Sequence, residues 1–215
     1  MPAITKQEKF KFWSQWTVLS CGVITLSYIF SLIAVLLVQG AFGFGQIEWG
    51  TPLSNTLSQI TGGAVIGLGT GLYQKSLLRR VFNMSSSWIF ALVIGFAITE
   101  LIIGIILWQL ELDRMKLRFI EFKPLPETLF FAGAGLIIGL LQWTILRRYF
   151  SKSIYWVVAS TMGWGICILL SYFAGFIVKS GFSILAFIPG ALLYGAITGA
   201  ALTWIMHSNW KSQCH

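Results

Sequence analysis

The sequence predicts an all-α polytopic membrane protein with six transmembrane helices, arranged as three parallel two-helix repeats with both termini in the cytoplasm. Three observations predict this fold: an apolar composition, six apolar segments of spanning length and an internal repeat. Of the 215 residues, 56% are hydrophobic and 10% are charged, and the mean hydropathy is +0.78. Soluble domains have about 25% charged residues, so too few charges remain to cover a water-facing surface. Disorder is also excluded, because it requires low hydrophobicity and high charge.

Six segments have the length and apolarity of a transmembrane helix, which needs about 20 mostly apolar residues. They are residues 17–39, 55–78, 88–109, 125–146, 155–178 and 182–206. The predicted division is therefore a cytoplasmic amphipathic N-terminus at 1–16, a membrane domain at 17–206 and a cytoplasmic tail at 207–215. The first segment resembles a signal peptide, but it exceeds the usual core of about 7–15 residues and no A-x-A site follows. We interpret it as an uncleaved first helix.

The distribution of Lys and Arg predicts the orientation. An even number of helices puts both termini on one side, and that side carries ten of the 15 Lys and Arg residues. The positive-inside rule then places both termini in the cytoplasm. Seven tryptophans fall near the predicted cytoplasmic boundary, where an amphipathic indole ring is favoured. They are Trp13, Trp16, Trp88, Trp143, Trp156, Trp204 and Trp210.

The outer loop at residues 110–124 combines charged residues with regularly spaced apolar ones. Leu112, Met115, Phe119 and Phe122 are spaced for one face of a helix, which favours an amphipathic helix lying in the membrane interface. A partial alternation of apolar residues leaves a strand as the alternative.

An internal repeat is the most specific pattern in the chain. Residues 64–98 align with residues 132–166 without a gap, and 15 of the 35 aligned positions are identical. The unit reads G-x-x-x-G-L-x-Q-x-x-x-L-R-R, followed after a short loop by W-x-x-A-x-x-x-G. A third unit is partial, because Gly195 and Gly199 repeat the glycine pair while Leu202 stands in the Gln position. A two-helix unit preserves chain direction. The repeats are therefore predicted to be parallel and to be related by an axis along the membrane normal.

The repeat supplies three groups of candidate residues. Small residues on one face let helices approach closely, so eight glycines are predicted to mediate helix packing: Gly67, Gly71, Gly95, Gly135, Gly139, Gly163, Gly195 and Gly199. Gln74 and Gln142 are candidates for hydrogen bonds between helices, with a substrate contact as the alternative. Two Arg pairs are predicted to contact anionic headgroups, with partner docking as the alternative. They are Arg79, Arg80, Arg147 and Arg148.

Glu100 is the ionisable residue predicted to lie deepest in the membrane. It follows Trp88 by 12 residues, a rise of about 18 Å along a helix, which puts it just past the midplane. Intramembrane ionisable residues point to a functional site, so Glu100 is the candidate functional group. The alternative is a neutral carboxylic acid held by nearby hydroxyl groups. The candidates for that role are Thr25, Ser27, Ser171 and Tyr172.

Signatures of catalysis and metal binding are absent from the sequence. No G-x-S-x-G, H-E-x-x-H or Walker loop occurs, and both histidines lie in the C-terminal tail. Three cysteines without a C-x-x-C pair argue against a zinc site or a disulfide framework. We therefore expect a protein that is not an enzyme, with no catalytic, metal-binding or cofactor-binding residue. The net charge of +8 is explained by the orientation rule rather than by binding of nucleic acid.

The repeated block also carries a family resemblance. The pattern G-L-x-Q-x-x-x-L-R-R followed by Trp occurs at Gly71–Arg80 with Trp88, and at Gly139–Arg148 with Trp156. It resembles uncharacterised multi-spanning membrane proteins of cyanobacteria and related bacteria. The resemblance covers helices 2–5 and implies the bacterial inner (plasma) membrane or another internal membrane. It implies no particular activity.

Two functions from different classes agree with these features. The first expectation is a non-catalytic accessory, assembly or scaffold subunit of a membrane complex, because small-residue faces abound and buried polar groups are few. Its partners would be anionic lipid headgroups and another membrane protein or a second copy of the chain. The alternative is a small solute or ion transporter or channel with Glu100 as its intramembrane ionisable group. A membrane-embedded binding component of a larger uptake system would satisfy parts of both.

Overall fold

The computed structural model describes residues 5–44, 52–81, 83–113, 124–177 and 184–212. These residues form six α-helices, which confirms the all-helical prediction. In chain order they are α1 (Lys6–Phe44), α2 (Pro52–Leu78), α3 (Ser87–Asp113), α4 (Pro124–Leu146), α5 (Tyr155–Ile177) and α6 (Ile184–Ser212).

Four of these helices are long and apolar enough to cross a membrane. The stretches are Lys6–Ala41, Glu127–Leu146, Tyr155–Ile177 and Leu185–Ser208. α3 adds a shorter apolar stretch, Ser87–Ile102. α2 is less apolar because its sequence is rich in Gly, Ser and Thr. The protein is therefore membrane-embedded, as its composition predicts.

The N-terminal helix begins earlier than its apolar segment. α1 starts at Lys6, and a capping box defines its first turn. The backbone N–H of Thr5 donates to a carboxylate oxygen of Glu8 at 2.8 Å, and the N–H of Glu8 donates to the Thr5 hydroxyl at 3.2 Å. Residues 6–16 are thus helical and continuous with the apolar part of α1. At the predicted interfacial helix, residues 110–113 continue α3, and residues 114–123 lie outside the described residues.

The six helices form a closed ring. Each helix packs against its neighbours in the sequence, and α6 packs against α1. The indole N–H of Trp13 donates to the carbonyl oxygen of Ala196 at 3.0 Å, and Lys9 Nζ lies 2.9 Å from His207 Nδ1. The two ends of the described chain therefore complete the ring at one end of the bundle.

The outside of the ring is covered by large apolar side chains. Every helix contributes some that are exposed: Leu37, Leu72, Phe90, Leu129, Phe176 and Leu185 among them. In water this surface would form a large exposed apolar patch. In a membrane, hydrocarbon chains cover it, while the interior of the ring holds the polar groups described below.

Candidate functional site

A cavity of about 340 Å³ lies inside the ring, and all six helices contribute to its wall. It is lined by the middle parts of α1, α3 and α5 and by the first halves of α2, α4 and α6. The cavity therefore lies away from the end of the bundle that carries the two Arg pairs. Its volume falls in the range of about 300–1,000 Å³ found for small-molecule sites.

Two carboxylates line this cavity, Glu100 of α3 and Glu127 of α4. Glu100 is partly buried and packs over α2 at Gly63, where an added Cβ would lie 2.6 Å from the Glu100 Cγ atom. Gly63 therefore provides the space that the Glu100 side chain occupies. Glu127 is exposed in the first turn of α4 and accepts a hydrogen bond from the Tyr172 hydroxyl. Glu100 thus lies in the wall of the cavity and Glu127 at its mouth.

Two of the hydroxyl groups expected to hold Glu100 are engaged elsewhere. Ser171 Oγ donates to the carbonyl oxygen of Cys167 at 2.7 Å, and Tyr172 pairs with Glu127. The Thr25 hydroxyl is buried and faces the Cys21 thiol. Ser27 packs against Gly69 of α2. These contacts leave the cavity itself as the environment of the Glu100 carboxyl group.

Aromatic rings form much of the remaining wall. The Trp164 ring makes an edge contact with Phe96, with centroids 5.2 Å apart, and a tilted contact with Phe131 at 6.3 Å. Across the cavity, Tyr28 stacks on Phe187 at 5.4 Å. Five aromatic side chains from five different helices therefore surround the space beside the carboxylates.

One buried polar atom in the cavity wall, the Oε1 atom of Gln59, has no hydrogen-bond partner among the described residues. The indole N–H of Trp164, whose side chain is 1% exposed, faces the Tyr194 hydroxyl. Buried polar groups are nearly always paired, and leaving one unpaired costs about 1–3 kcal/mol. The cavity wall thus offers one free acceptor.

A cluster of tryptophans and glutamines fills the interior of the ring at the end of the bundle that carries the Arg pairs. We call Trp16, Trp88, Trp156, Gln74 and Gln142 the Gln–Trp cluster; all five side chains are fully buried. The indole N–H groups of Trp88 and Trp156 donate to Gln74 and Gln142 at 3.0 and 2.8 Å. Gln142 Nε2 donates to Gln74 Oε1 at 3.3 Å, which links the two pairs. Ring contacts of 5.8 and 6.1 Å join Trp156 to Trp88 and Trp16.

The buried positions of these tryptophans differ from the predicted ones. The interfacial interpretation is wrong for Trp16, Trp88 and Trp156, because their rings face the interior of the bundle rather than the lipid. The third ring also lacks a Gln partner, since the Trp16 indole N–H donates to the Thr198 hydroxyl at 3.0 Å. Leu202, which stands in the Gln position of the partial third unit, is fully buried.

The eight candidate glycines all face a neighbouring helix. A Cβ at Gly67 would lie 2.7 Å from the carbonyl oxygen of Leu92, and one at Gly195 would lie 2.8 Å from that of Thr17. The glycines Gly71, Gly95, Gly135, Gly139, Gly163 and Gly199 contact Ile89, Ile138, Ser160, Val157, Tyr194 and Trp16, respectively. These glycine faces are therefore occupied by contacts within the chain. Gly63, Gly69 and Gly190 make equally close contacts that the repeat pattern does not single out.

The two Arg pairs lie at the same end of the bundle and are exposed. Arg79 and Arg80 follow α2, and Arg147 and Arg148 follow α4. The Arg147 guanidinium lies 5.2 Å from the centroid of the Trp143 ring. Their positions place four positive charges on one rim of the ring, away from the cavity.

Comparisons of the chain with protein-family models, with curated proteins and with solved structures found no match. The fold and the site define a class, an all-helical membrane-embedded protein with an internal cavity. Among the described residues, no group of three or more His, Cys, Asp and Glu side chains is placed to hold a metal ion. The function is therefore inferred from the geometry of the cavity.

Proposed function

We propose that the chain is a small-solute transporter whose binding site is the central cavity, with Glu100 as its intramembrane ionisable group. The observation that carries this proposal is the cavity itself, which all six helices line and in which Glu100 lies. A scaffold subunit does not need an internal cavity, whereas a transporter needs one near the middle of the membrane. The glycine faces that favoured an accessory role are used in packing within the chain.

The proposal includes six membrane spans. α2 and α3 each have 27 residues and are therefore about 40 Å long, which exceeds the hydrocarbon thickness of about 30 Å. The lower hydropathy of α2 agrees with its partly polar face inside the ring. Under the positive-inside rule both termini and the Arg pairs are cytoplasmic, and the Arg pairs contact anionic headgroups. The cavity then opens to the opposite side.

The repeat arrangement we propose has three parallel two-helix units, namely α2 with α3, α4 with α5, and α6 with α1. Equivalent contacts support this assignment. Gly67, Gly135 and Gly195 each approach the backbone of the following helix of their unit, near a carbonyl group. In each unit the indole N–H of the equivalent tryptophan donates to a polar side chain of the preceding helix. α6 and α1 are thus the third unit, joined across the ends of the chain.

A path between the cavity and the cytoplasmic end is also part of the proposal. Thr70, Ser160 and Tyr194 lie between the cavity and the Gln–Trp cluster on α2, α5 and α6. All three are fully buried. The Tyr194 hydroxyl faces Gln74 and Trp164. The hydroxyl groups of Thr70 and Ser160 have no hydrogen-bond partner among the described residues. Such groups gain a partner when water or solute passes, or when the helices shift. In this proposal the cavity is open outwards and is closed on the cytoplasmic side by the Gln–Trp cluster.

Solute uptake into proteoliposomes tests this function. The purified chain is reconstituted and incubated with a mixture of small metabolites, and the trapped solutes are identified by mass spectrometry. We expect at least one solute to accumulate above protein-free liposomes, Glu100→Gln to abolish that accumulation, and Glu8→Gln to retain it. Glu8 is the matched control because it is an exposed carboxylate at the start of α1.

An accessory subunit is the second candidate, because a partner protein and lipid are both able to cover the apolar outer surface. A pull-down from native bacterial membranes in mild detergent distinguishes the two. A stoichiometric companion protein together with no accumulated solute would contradict transport and favour the accessory role. A chain that is recovered alone or as a homo-oligomer, and that accumulates a solute, agrees with transport.

A further inference from the structure

We infer that the solute is an organic cation, an ammonium compound that also carries an N–H or O–H donor; this inference rests on the proposed function of the cavity. The first support is charge. Among the residues that the structure describes, the cavity lining includes two carboxylates, Glu100 and Glu127, and no Lys, Arg or His. The cationic side chains that the structure describes lie elsewhere, for example in the Arg pairs at the opposite end. An anionic solute would therefore be repelled, and a cation attracted.

The second support is the aromatic wall. The faces and edges of Tyr28, Phe96, Phe131, Trp164 and Phe187 surround the space next to the carboxylates. The negative face of an aromatic ring attracts a cation, and cages of such rings recognise quaternary ammonium groups. In their ionised form the two carboxyl groups supply the charge, while the rings replace the water that an organic ammonium group loses on entry.

The same wall disfavours an inorganic cation. A calcium ion takes six to eight oxygen ligands, and magnesium needs near-octahedral oxygen coordination. In the described part of the chain no group of three or more His, Cys, Asp and Glu side chains is assembled for a metal. A cavity of about 340 Å³ with five aromatic rings is also far larger than a bare metal ion requires.

The third support comes from an unpaired polar atom. Gln59 Oε1 is a buried acceptor in the cavity wall that has no partner among the described residues, and it suits an N–H or O–H group of the solute. The site therefore fits an amino alcohol or a related ammonium compound better than a hydrocarbon cation.

Binding of a matched pair of probes tests the inference. Choline carries a quaternary ammonium group and a hydroxyl, and 3,3-dimethylbutan-1-ol has the same shape without the charge. Isothermal titration calorimetry on the full chain in detergent measures both, with potassium chloride as the inorganic control. We expect choline to bind at least about tenfold more tightly than the alcohol, because an ionic partner is stronger than a neutral one. Potassium at equal concentration should not displace choline.

Variants identify the site. Glu100→Gln and Glu127→Gln should each weaken choline binding by about tenfold or more, and Glu8→Gln should leave it unchanged. Because a Glu100 variant can fail to fold, circular dichroism and gel filtration are measured on the same samples, and Glu127→Gln at the exposed mouth provides the second test.

The outcomes separate the solute class from the function. If the alcohol binds as tightly as choline, or if potassium displaces choline, the inference of an organic cation is wrong while a solute-binding cavity remains. If neither probe binds although the uptake assay detects a transported neutral or anionic solute, the inference is also wrong and transport stands. If neither probe binds and no solute is transported, both the inference and the proposed function fail.

Discussion

Replacing Gly135 with Ala perturbs the closest approach of α4 to α5. The new Cβ would overlap the carbonyl group of Ser160 and lie 2.9 Å from the Cα atom of Thr161. Both are backbone atoms of α5, so rotation of a side chain cannot relieve the contact. The two helices must separate by about one ångström to bring the new Cβ to an ordinary van der Waals distance of 3.4 Å from that carbonyl oxygen.

Gly133→Ala is the matched control, because it lies two residues earlier on the same helix and an added Cβ has nothing within 4 Å. Both substitutions raise intrinsic helix propensity by the same amount, up to about 1 kcal/mol. The difference between them therefore isolates the packing contact. Overpacking of a tight interior typically costs about 1–3 kcal/mol.

The assay is reversible unfolding in mixed micelles of dodecyl sulfate and mild detergent, followed by circular dichroism. We expect the free energy of unfolding of the Gly135→Ala variant to be about 1–3 kcal/mol below that of Gly133→Ala. Equal free energies of unfolding for the two variants would refute the assignment of Gly135 to a helix–helix contact.

Three further predictions concern the cluster, the cavity and the topology. Gln142→Leu leaves the buried indole N–H of Trp156 without its acceptor at 2.8 Å and should lower the free energy of unfolding by about 1–3 kcal/mol; an unchanged value in the same micelle assay would contradict it. Gly63→Ala fills the space of the Glu100 Cγ atom and should reduce solute uptake, whereas unchanged uptake would argue against this packing. A reporter enzyme fused after His215 should show that the C-terminus lies in the cytoplasm. A reporter found on the outer side of the membrane would contradict the six-span topology.

The helices were predictable from the sequence because a segment that spans a membrane must satisfy its backbone hydrogen bonds internally. An α-helix does this within a single segment. The contacts of the glycines were predictable in kind, since small residues at positions i and i+4 lie on one face. Their partners were not, because spacing along one helix carries no information about which neighbouring helix it meets. Gly190, for example, packs against Cys167, although no repeat pattern marks it.

The ring closure and the role of the tryptophans escaped sequence analysis for a related reason. Trp16 and Thr198 are separated by 182 residues, and the third unit uses Thr198 rather than a Gln, so the repeat pattern breaks where the ring closes. A signal for the buried tryptophans was present. Gln and Trp are 14 residues apart in both complete units, and a buried Gln requires a polar partner.

Of the residues that line the cavity, only Glu100 could be singled out from the sequence. Glu100 could be singled out because a carboxylate is rare deep in an apolar segment. Glu127 stands in the first turn of α4, where the helix dipole alone explains an acidic residue, so nothing in the sequence indicates that it borders a cavity. The aromatic residues of the wall are equally common on lipid-facing surfaces, and only the packing of six helices distinguishes them.

Thiol labelling at position 100 tests most directly whether Glu100 faces an internal cavity that opens to the outside. In a chain with Cys21, Cys167 and Cys214 replaced by Ser or Ala, Glu100→Cys is compared with Leu101→Cys, whose native side chain is 38% exposed on the outer surface of the ring. Intact cells are treated with a membrane-impermeant cationic methanethiosulfonate reagent, and modification is read by mass spectrometry. We predict rapid modification at position 100 and none at position 101. Modification at neither position, or at position 101 alone, would contradict the existence of a water-accessible cavity around Glu100.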